Sequence, residues 1–192
     1  GWGNGPAVDD YSHFRLIAQY GQTISKNRTI RAQAVKRTIP KSFIYDMGQN
    51  MVGVPQIKFS GLTPGTKIRF RYAEMLYPEL PEYEGKEGTL MLENIRAAMA
   101  QDIYIAKGGD ETFKPFFTNH GYRYIEISGI EEELPLDNVE GIVLSSIKGI
   151  DAQYETSSEL VNKLWSNITW STLGNFVSIP TDCPQRNERL GW

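Results

Sequence analysis

The stretch QIKFSGLTPGTKIRFRYAEML, residues 56–76, decides the fold class. Apolar and polar residues alternate on both sides of a turn made of Gly, Pro and Gly, and a period of two is that of strands with one buried face. Turn residues of this kind separate neighbouring strands. The stretch therefore predicts a hairpin with one buried side, formed by Ile57 and Phe59 before the turn and by Ile68, Phe70 and Tyr72 after it.

Other stretches between residues 42 and 146 have the same alternation. They are DIYIA at 102–106, YRYIEISG at 122–129 and VEGIVLSS at 139–146. Two packed sheets bury many one-sided strands, so the pattern predicts an antiparallel β-sandwich. Residues 77–98 break the alternation and predict a long loop across the sheet, and KGGDET at 107–112 predicts a hairpin turn.

Composition limits the classes of function. The chain has 192 residues, 40% of them hydrophobic and 22% charged, which indicates a globular protein. A net charge of -3, with Lys and Arg scattered among acids, argues against nucleic acid as a partner. No apolar run approaches the roughly 20 residues of a membrane span. Cys183 is the only cysteine and no Cys and His spacing suggests zinc, so we expect an ordinary thiol, no metal and no cofactor.

The periodicity changes after residue 150. TSSELVNKLWSNITWSTLGNF, residues 156–176, has apolar residues at helical spacing after Ser and Thr suited to N-capping, and it predicts a helix over 157–175. The apolar stripe is wide and includes Leu164, Trp165 and Ile168, which we expect to be under-buried because the helices that should cover them are missing. We divide the chain into a linker or β extension of a preceding domain at 1–40, a sandwich domain at 41–150, and a linker with the start of a helical domain at 151–192.

The last stretch, IPTDCPQRNERLGW at 179–192, has the highest concentration of side chains suited to catalysis or ligand binding. Prolines on both sides of Asp182 predict a constrained loop, and a new helix from Gln185 would bring Arg186, Arg189 and Trp192 to one surface at offsets of three or four. Carboxylates, a guanidinium and an aromatic ring are what sugar hydrolysis uses. The same residues also form helix caps and surface ion pairs.

The residues alone leave an enzyme and a binding module open. A carbohydrate-binding sandwich would place glycan on the face that carries Arg69 and Arg71, and the last stretch would then be incidental. A scaffold sandwich would only orient the helical domain that follows it. Asp46, Glu74 and Glu93 with Asn94 are further candidates for sugar or cation contacts, although solvated strand ends have the same composition.

PTDCPQRNERLGW, residues 180–192, resembles the active-site signature of the bacterial α-L-rhamnosidases, glycoside hydrolase family 78. The resemblance extends in order through YDMGQNMVG, RYAEMLYP, ENIRAAMAQDIYI, FKPFFTNHGYRYIEISG and SELVNKLWSNITWSTLGNFVSIPTDCPQ, which cover nearly all of the chain from Tyr45 onward. GWGNGPAV at the start resembles the end of a preceding β domain. Position 187 is Asn where the family motif often has Asp.

The resemblance implies a mainly β chain, with a concanavalin-like sandwich followed by the first helix of a truncated (α/α)6 barrel. It implies hydrolysis of terminal α-L-rhamnosyl groups from glycosides or polysaccharides with inversion. Glu188 resembles the general acid, and Asp182, Arg186 and Trp192 resemble residues that hold rhamnose. The general base would lie beyond residue 192, so we expect the chain alone to be inactive. Aglycone preference, oligomeric state and compartment, whether cytoplasmic, periplasmic or secreted, stay open.

Overall fold

A computed structural model describes residues 13–186, in which antiparallel strands dominate. The confirmed fold class is mainly β with one α-helix. The elements are β1 (Ser25–Arg31), β2 (Ala34–Ile39), β3 (Ser42–Leu62), β4 (Lys67–Ala73), β5 (Gln101–Ile105), β6 (Gly109–Phe113), β7 (His120–Ser128), β8 (Val139–Ser145), α1 (Glu159–Asn175), β9 (Phe176–Val177) and β10 (Ile179–Pro180).

The long strand β3 belongs to both layers of the fold. Its first part, residues 42–46, pairs with β2 on one side and β7 on the other, and β7 continues to β4 and β5. Its second part, residues 53–62, pairs with β8 and β6, and β8 continues to β1. Strands β1 to β8 therefore form one connected sheet that folds over along β3, and β9 and β10 pair only with each other within the described residues.

The hairpin predicted at residues 57–72 is wrong. The end of β3 pairs with β6 and β8, whereas β4 pairs with β5 and β7, and no β3–β4 pairing occurs within the described residues. The turn at 63–66 instead carries the chain from one layer to the other. The apolar residues were correctly placed in the core, and the Phe59 and Phe70 ring centroids lie 6.3 Å apart across it.

The prediction of a hairpin turn at residues 107–112 is also wrong, because the strands before and after this turn do not pair with each other. It connects β5, which pairs with β4, to β6, which pairs with β3. The Glu111 carboxylate fastens this turn by accepting hydrogen bonds from the backbone N–H groups of Lys107 (3.0 Å) and Gly108 (2.8 Å) and from the Tyr104 hydroxyl. The alternation of apolar and polar residues thus located the strands correctly but did not predict which strands pair with each other.

The predicted loop at 77–98 is present, and residues 25–39 form two strands. The loop lies against the sheet through Leu90 and Ile95, which are both buried. β1 and β2 are paired within the sheet, while residues 13–24 contain no strand. The predicted division of the chain at residues 40 and 150 stays a prediction.

A bulge interrupts β3 halfway along its length. Asp46 is opposite Tyr124 and Met51 is opposite Tyr122. Between these two pairs β3 advances by five residues while β7 advances by two. The Asp46 carboxylate fixes this bulge: it accepts two hydrogen bonds from the Arg123 guanidinium (2.8 and 2.7 Å) and one from the backbone N–H of Gly48 (2.7 Å). Gly48 has φ of 73°, which favours glycine.

Helix α1 is confirmed, and it lies on the sandwich by its C-terminal half. Leu173 is buried, and a Cβ on Gly174 would come within 2.8 Å of the Val52 side chain, so this close approach needs glycine. The N-terminal half is largely exposed: Leu164 is 57% and Ile168 49% exposed, as the sequence predicts, while Trp165 is half-buried against Tyr154. No helix in the part that the structure describes is long and apolar enough to cross a membrane.

The N-terminus of α1 is not capped as predicted. The Ser158 hydroxyl makes no capping hydrogen bond. Instead, the Asn162 side chain reaches back one turn, where it accepts a hydrogen bond from the Thr156 backbone N–H and donates one to the Thr156 carbonyl, both at 2.8 Å.

We expect the packing between the two layers to be measurable at Phe70 and Phe113, whose rings stack 4.3 Å apart although β4 and β6 are not paired. Phe70→Leu and Phe113→Leu should each lower the free energy of unfolding by about 1 kcal/mol. Their effects should couple by about 0.5–1.5 kcal/mol in a double-mutant cycle followed by urea denaturation. Phe117→Leu, at a fully exposed ring, is the control and should change stability by less than about 0.5 kcal/mol. Strictly additive effects would contradict the stacking.

We also expect the bulge to make stability depend on pH. The Arg123 guanidinium holds the pKa of Asp46 below its ordinary value, against the burial that would raise it. Because the pKa of Asp46 is lower in the folded than in the unfolded protein, its carboxylate stabilises the fold fully above the unfolded-state pKa of about 3.9. This stabilisation is lost as the pH falls through the folded-state pKa. Asp46→Asn should therefore cost about 1 kcal/mol at pH 7, and the difference from wild type should vanish in acid.

The control for this pH series is Asp137→Asn, since Asp137 pairs with Arg31 at 3.2 Å on the open surface. That change should alter the free energy of unfolding by less than about 0.5 kcal/mol at any pH of the series. A difference between Asp46→Asn and wild type that persists unchanged to pH 2 would show that the carboxylate does not carry the effect.

Candidate active site

The loop that follows α1 is held by the end of β8. The Ser145 hydroxyl donates to the carbonyl of Leu173 (2.8 Å), one of the last carbonyls of the helix, and the backbone N–H of Ser146 donates to the carbonyl of Phe176 (2.7 Å). Both serines are buried. Helix ends leave carbonyls without partners inside the helix. The sandwich therefore satisfies the C-terminus of α1 and sets where the loop begins.

The loop then turns tightly at Ser178. β9 and β10 pair with Val177 opposite Ile179, so Ser178 alone forms the tip, with φ of 77°. This left-handed conformation costs free energy for a residue other than glycine. The backbone N–H of Ser178 donates to the buried hydroxyl of Ser146 at 2.8 Å, and this bond holds the tip in its strained conformation.

Asp182 and Arg186, two of the residues predicted to bind sugar, come together beyond this tip. The Cys183 thiol lies between them: it donates to the Asp182 carboxylate at 3.2 Å and is contacted by the Arg186 guanidinium. A 3-10 turn over Pro184–Arg186 begins here, and the Arg186 N–H donates to the Cys183 carbonyl at 3.0 Å. A carboxylate and a guanidinium are thus fixed on one short loop.

The thiol of Cys183 is held in its protonated form. The hydrogen bond that the thiol donates to the Asp182 carboxylate stabilises the protonated form and so raises the pKa of the thiol. A nucleophilic cysteine needs the opposite, a pKa lowered by positive surroundings. This supports the expectation of an ordinary thiol.

The sandwich also forms the floor beneath the 3-10 turn. A Cβ on Gly121 of β7 would come within 3.0 Å of the Gln185 backbone nitrogen and side chain. Only glycine lets the turn approach β7 this closely without displacement.

A cavity of about 250 Å³ lies beside this turn, between the sandwich and α1. Its walls include Gln49 and Asn50 from the bulge of β3, Glu74 at the end of β4, Trp170 of α1 and Gln185 of the turn. The Asn50 side-chain amide donates to the Glu74 carboxylate at 2.8 Å. The candidate site is therefore shared by the sandwich and the segment after it.

The other predicted residues are placed as follows. Glu188 and Trp192 lie outside the described residues. Glu93 is exposed and accepts a hydrogen bond from the Tyr77 hydroxyl at 2.8 Å. Arg71, on the face considered for glycan binding, donates both of its bonds at 2.9 Å to the buried Glu126 carboxylate and is thus used within the fold. Residues 13–186 contain no group of three or more His, Cys, Asp or Glu that could hold a metal ion.

Sequence reasoning missed the residues that support the loop. Ser145, Ser146 and Gly121 act through hydrogen bonds and close approaches to a segment more than 25 residues away, and no local pattern marks such contacts. Asn50 was missed because its position depends on the bulge. The only available signal was YDMGQNMVG, whose polar run interrupts the alternation of β3.

Comparison with known proteins connects this geometry to one family. Residues 36–145 match the bacterial alpha-L-rhamnosidase concanavalin-like domain, and residues 151–192 match the bacterial alpha-L-rhamnosidase 6 hairpin glycosidase domain. The chain belongs to the bacterial α-L-rhamnosidase family. Within this family, the first domain match ends at Ser145, the last residue of β8, and the second begins at residue 151, so the loop after α1 and the Ser145 hydroxyl that holds it lie in different domain matches.

Individual members of the α-L-rhamnosidase family are similar in sequence and structure. An alpha-L-rhamnosidase of Streptomyces avermitilis is 40% identical over 93% of this chain and 16% of its own length. The solved alpha-L-rhamnosidase from Dictyoglumus thermophilum matches with a TM-score of 0.80 and 39% identity over 91% of this chain and 19% of its own. The solved alpha-L-rhamnosidase of Streptomyces avermitilis complexed with L-rhamnose matches with a TM-score of 0.79 and 40% identity. The match covers 92% of this chain and 16% of that one. The chain thus spans less than a fifth of these α-L-rhamnosidases.

We expect Ser146→Ala to loosen the loop after α1 in this member of the rhamnosidase family, because the Ser178 N–H then loses its buried acceptor. The free energy of unfolding should fall by about 0.5–1.5 kcal/mol, since water can reach the exposed Ser178 N–H. Hydrogen exchange at the Ser178 amide should become faster than global unfolding explains. Ser42→Ala is the matched control, since Ser42 is a buried serine whose hydroxyl bonds to Ser128 at 3.1 Å away from the loop. Equal exchange at Ser178 in both variants would contradict the role of Ser146.

Proposed function

We propose that this chain is part of an enzyme that hydrolyses terminal α-L-rhamnosyl groups from glycosides or polysaccharides with inversion. The observation that carries the proposal is the match of residues 151–192, which contain Asp182, Arg186 and Glu188, to a glycosidase domain of the rhamnosidase family. The similar Streptomyces avermitilis structure holds L-rhamnose, which supports the same sugar here.

In this proposal the loop after α1 binds the terminal sugar. The Asp182 carboxylate accepts hydrogen bonds from rhamnose hydroxyls, and the Arg186 guanidinium donates to ring or hydroxyl oxygens. Trp192 provides an apolar surface for one face of the sugar. The anchors at Ser145 and Ser146 fix where the loop starts, so the sugar contacts are held in place before the substrate arrives.

Glu188 acts as the general acid. It protonates the glycosidic oxygen as the bond to the leaving group breaks, while a second carboxylate removes a proton from water on the opposite face of the sugar. In inverting enzymes the two carboxyl groups are roughly 6.5–9.5 Å apart, which leaves room for that water. The second carboxylate comes from residues outside this chain.

The domain organisation follows from the same proposal. Residues 1–40 lead from a preceding domain and contribute β1 and β2 to the sheet, residues 41–150 form the rest of the sandwich, and residues 151–192 begin an (α/α)6 catalytic domain. The exposed apolar side chains of α1, among them Leu160 at 81% exposure, support a helix that is built to pack against further helices.

The test is hydrolysis of aryl α-L-rhamnosides by the full-length protein, with the 192-residue chain as an inactive control. Glu188→Gln keeps the size of the side chain but has no proton to transfer, so kcat on a substrate with a poor leaving group should fall about 10²- to 10⁴-fold. A substrate with a good leaving group needs little protonation and should rescue this variant.

Asp182→Asn is the matched comparison, because a lost sugar contact should reduce kcat/KM on both substrates to a similar extent. Equal losses of Glu188→Gln on both substrates would remove Glu188 from the general-acid role. Near-normal turnover of both variants would indicate that Asp182 and Glu188 form only surface ion pairs. Full activity of the isolated 192-residue chain would refute the claim that the second carboxylate lies outside it.

A further inference from the structure

One carboxylate ties three elements of the sandwich together. The Asp102 side chain of β5 accepts hydrogen bonds from the Tyr72 hydroxyl of β4 and from the Thr118 hydroxyl between β6 and β7, both at 2.8 Å. It has a third partner in Nε2 of His120, the first residue of β7, at 3.0 Å. The proposed mechanism uses none of these side chains.

The three hydrogen bonds hold Asp102 in its charged form. Burial raises the pKa of Asp102, but the hydrogen bonds from His120, Thr118 and Tyr72 outweigh burial and keep the pKa below its ordinary value. An ionised carboxylate only accepts, so Nε2 of His120 carries a hydrogen and donates it. The His120 and Asp102 side chains are only 7% and 11% exposed. Leaving such a buried bond unmade is costly, so His120 is held firmly in place.

Aromatic contacts fix the same end of β7 from the core. The Tyr72 ring stacks on the His120 ring, with centroids 3.9 Å apart and 13° between the planes. It also meets the Tyr122 ring at 5.2 Å. Both tyrosines are fully buried. Tyr72 therefore contacts the residues on both sides of Gly121.

Gly121 connects this end of β7 to the proposed active site. Successive residues of a strand face opposite sides, so with both neighbours in the core, position 121 faces outward. There a Cβ would come within 3.0 Å of the Gln185 backbone nitrogen. Gly121 also pairs with Val52, whose side chain lies against Gly174 of α1. This pair of residues is thus a floor for both the end of α1 and the 3-10 turn.

The 3-10 turn determines where the segment with the proposed general acid begins. Gln185 directly precedes Arg186, and Glu188 follows two residues later. A general acid has to lie within hydrogen-bond reach of the oxygen that it protonates. A displacement of about 1 Å at a catalytic group can lower the rate about 10²-fold. A shift of Gly121 would therefore affect proton transfer although Gly121 does not touch the reacting atoms.

We propose that Asp102, His120 and Tyr72 form a positioning network for the general acid. They hold Gly121 beneath the 3-10 turn, and the turn in this place directs the following segment so that Glu188 reaches the glycosidic oxygen. The proposal rests on the proposed function and adds positioning residues to it. These residues belong to the β domain and act through the turn, without contact to the substrate.

The experiment measures kcat of the full-length protein on two aryl α-L-rhamnosides, one with a poor and one with a good leaving group. Asp102→Asn keeps the size of the side chain but has a single acceptor oxygen, so the network loses at least one bond. The kcat on the poor leaving group, which needs protonation, should fall about tenfold or more, and the kcat on the good one should stay within about twofold. Gly121→Ala should give the same selective loss, because its Cβ displaces Gln185 directly.

Tyr45→Phe is the matched control. Tyr45 is also fully buried, and its hydroxyl bonds to the backbone N–H (2.6 Å) and carbonyl (3.2 Å) of Leu134, in the loop between β7 and β8. This variant should leave kcat on both substrates within about twofold. A network that serves only stability would lower kcat equally on both substrates through the fraction of folded enzyme. Equal losses in Asp102→Asn, or no loss, would therefore overturn the proposal, as would a Gly121→Ala variant without selective loss.

Failure of the proposed function would give a different result. Hydrolysis of neither substrate by the wild-type protein would refute that function and the role of Glu188 in it. The positioning of the turn is then decided in the 192-residue chain by hydrogen exchange at the Arg186 amide, which donates to the Cys183 carbonyl at 3.0 Å. Exchange that becomes faster in Asp102→Asn than global unfolding explains, but not in Tyr45→Phe, would support the network. Equal exchange in both variants would overturn it.

Discussion

The rest of the structure depends on one constraint: β3 runs unbroken through both layers of the sandwich. Its first part has β2 and β7 as neighbours and its second part β6 and β8, so the two layers cannot move apart without breaking this strand. On one side of β3 the bulge separates the residues that pair with β2 from those that pair with β8, while on the other side β7 pairs with residues both before and after the bulge. The same bulge carries the amides that face the cavity, so a change in the path of the strand would alter the site as well as the core.

The sandwich and the segment after it are joined by hydrogen bonds rather than by apolar contact alone. The backbone and hydroxyl groups of Ser145 and Ser146, both buried, bond to the carbonyls of Leu173 and Phe176 and to the backbone N–H of Ser178. A buried polar group that loses its partner is costly, so these bonds fix the geometry more narrowly than packing would. The β domain thus has a direct part in shaping the proposed active site and is more than a spacer.

The sequence could predict what depends on local pattern. Alternation located the strands and their buried residues, and helical spacing located α1. It could not predict which strands pair, because the turns at 63–66 and 107–108 look the same whether the chain returns to the same layer or crosses to the other. Spacing and the family resemblance predicted Asp182 and Arg186 as sugar-binding residues, and the structure brings both side chains to the Cys183 thiol, while their role stays a prediction. Asn50 and Ser146 escaped notice because their surroundings are assembled from distant parts of the chain.

The position of β8 has a consequence for synthesis of the protein on the ribosome. β8 lies between β1 and β3, and the Asn27 side chain of β1 bonds to the carbonyl of Ile147, 120 residues later in the chain. At ordinary rates of translation, roughly ten seconds pass between the appearance of β1 and that of its only neighbour in the described sheet. During that interval one edge of β1 and one of β3 are unsatisfied, and open strand edges recruit other chains. The nascent polypeptide therefore carries these open strand edges until β8 emerges.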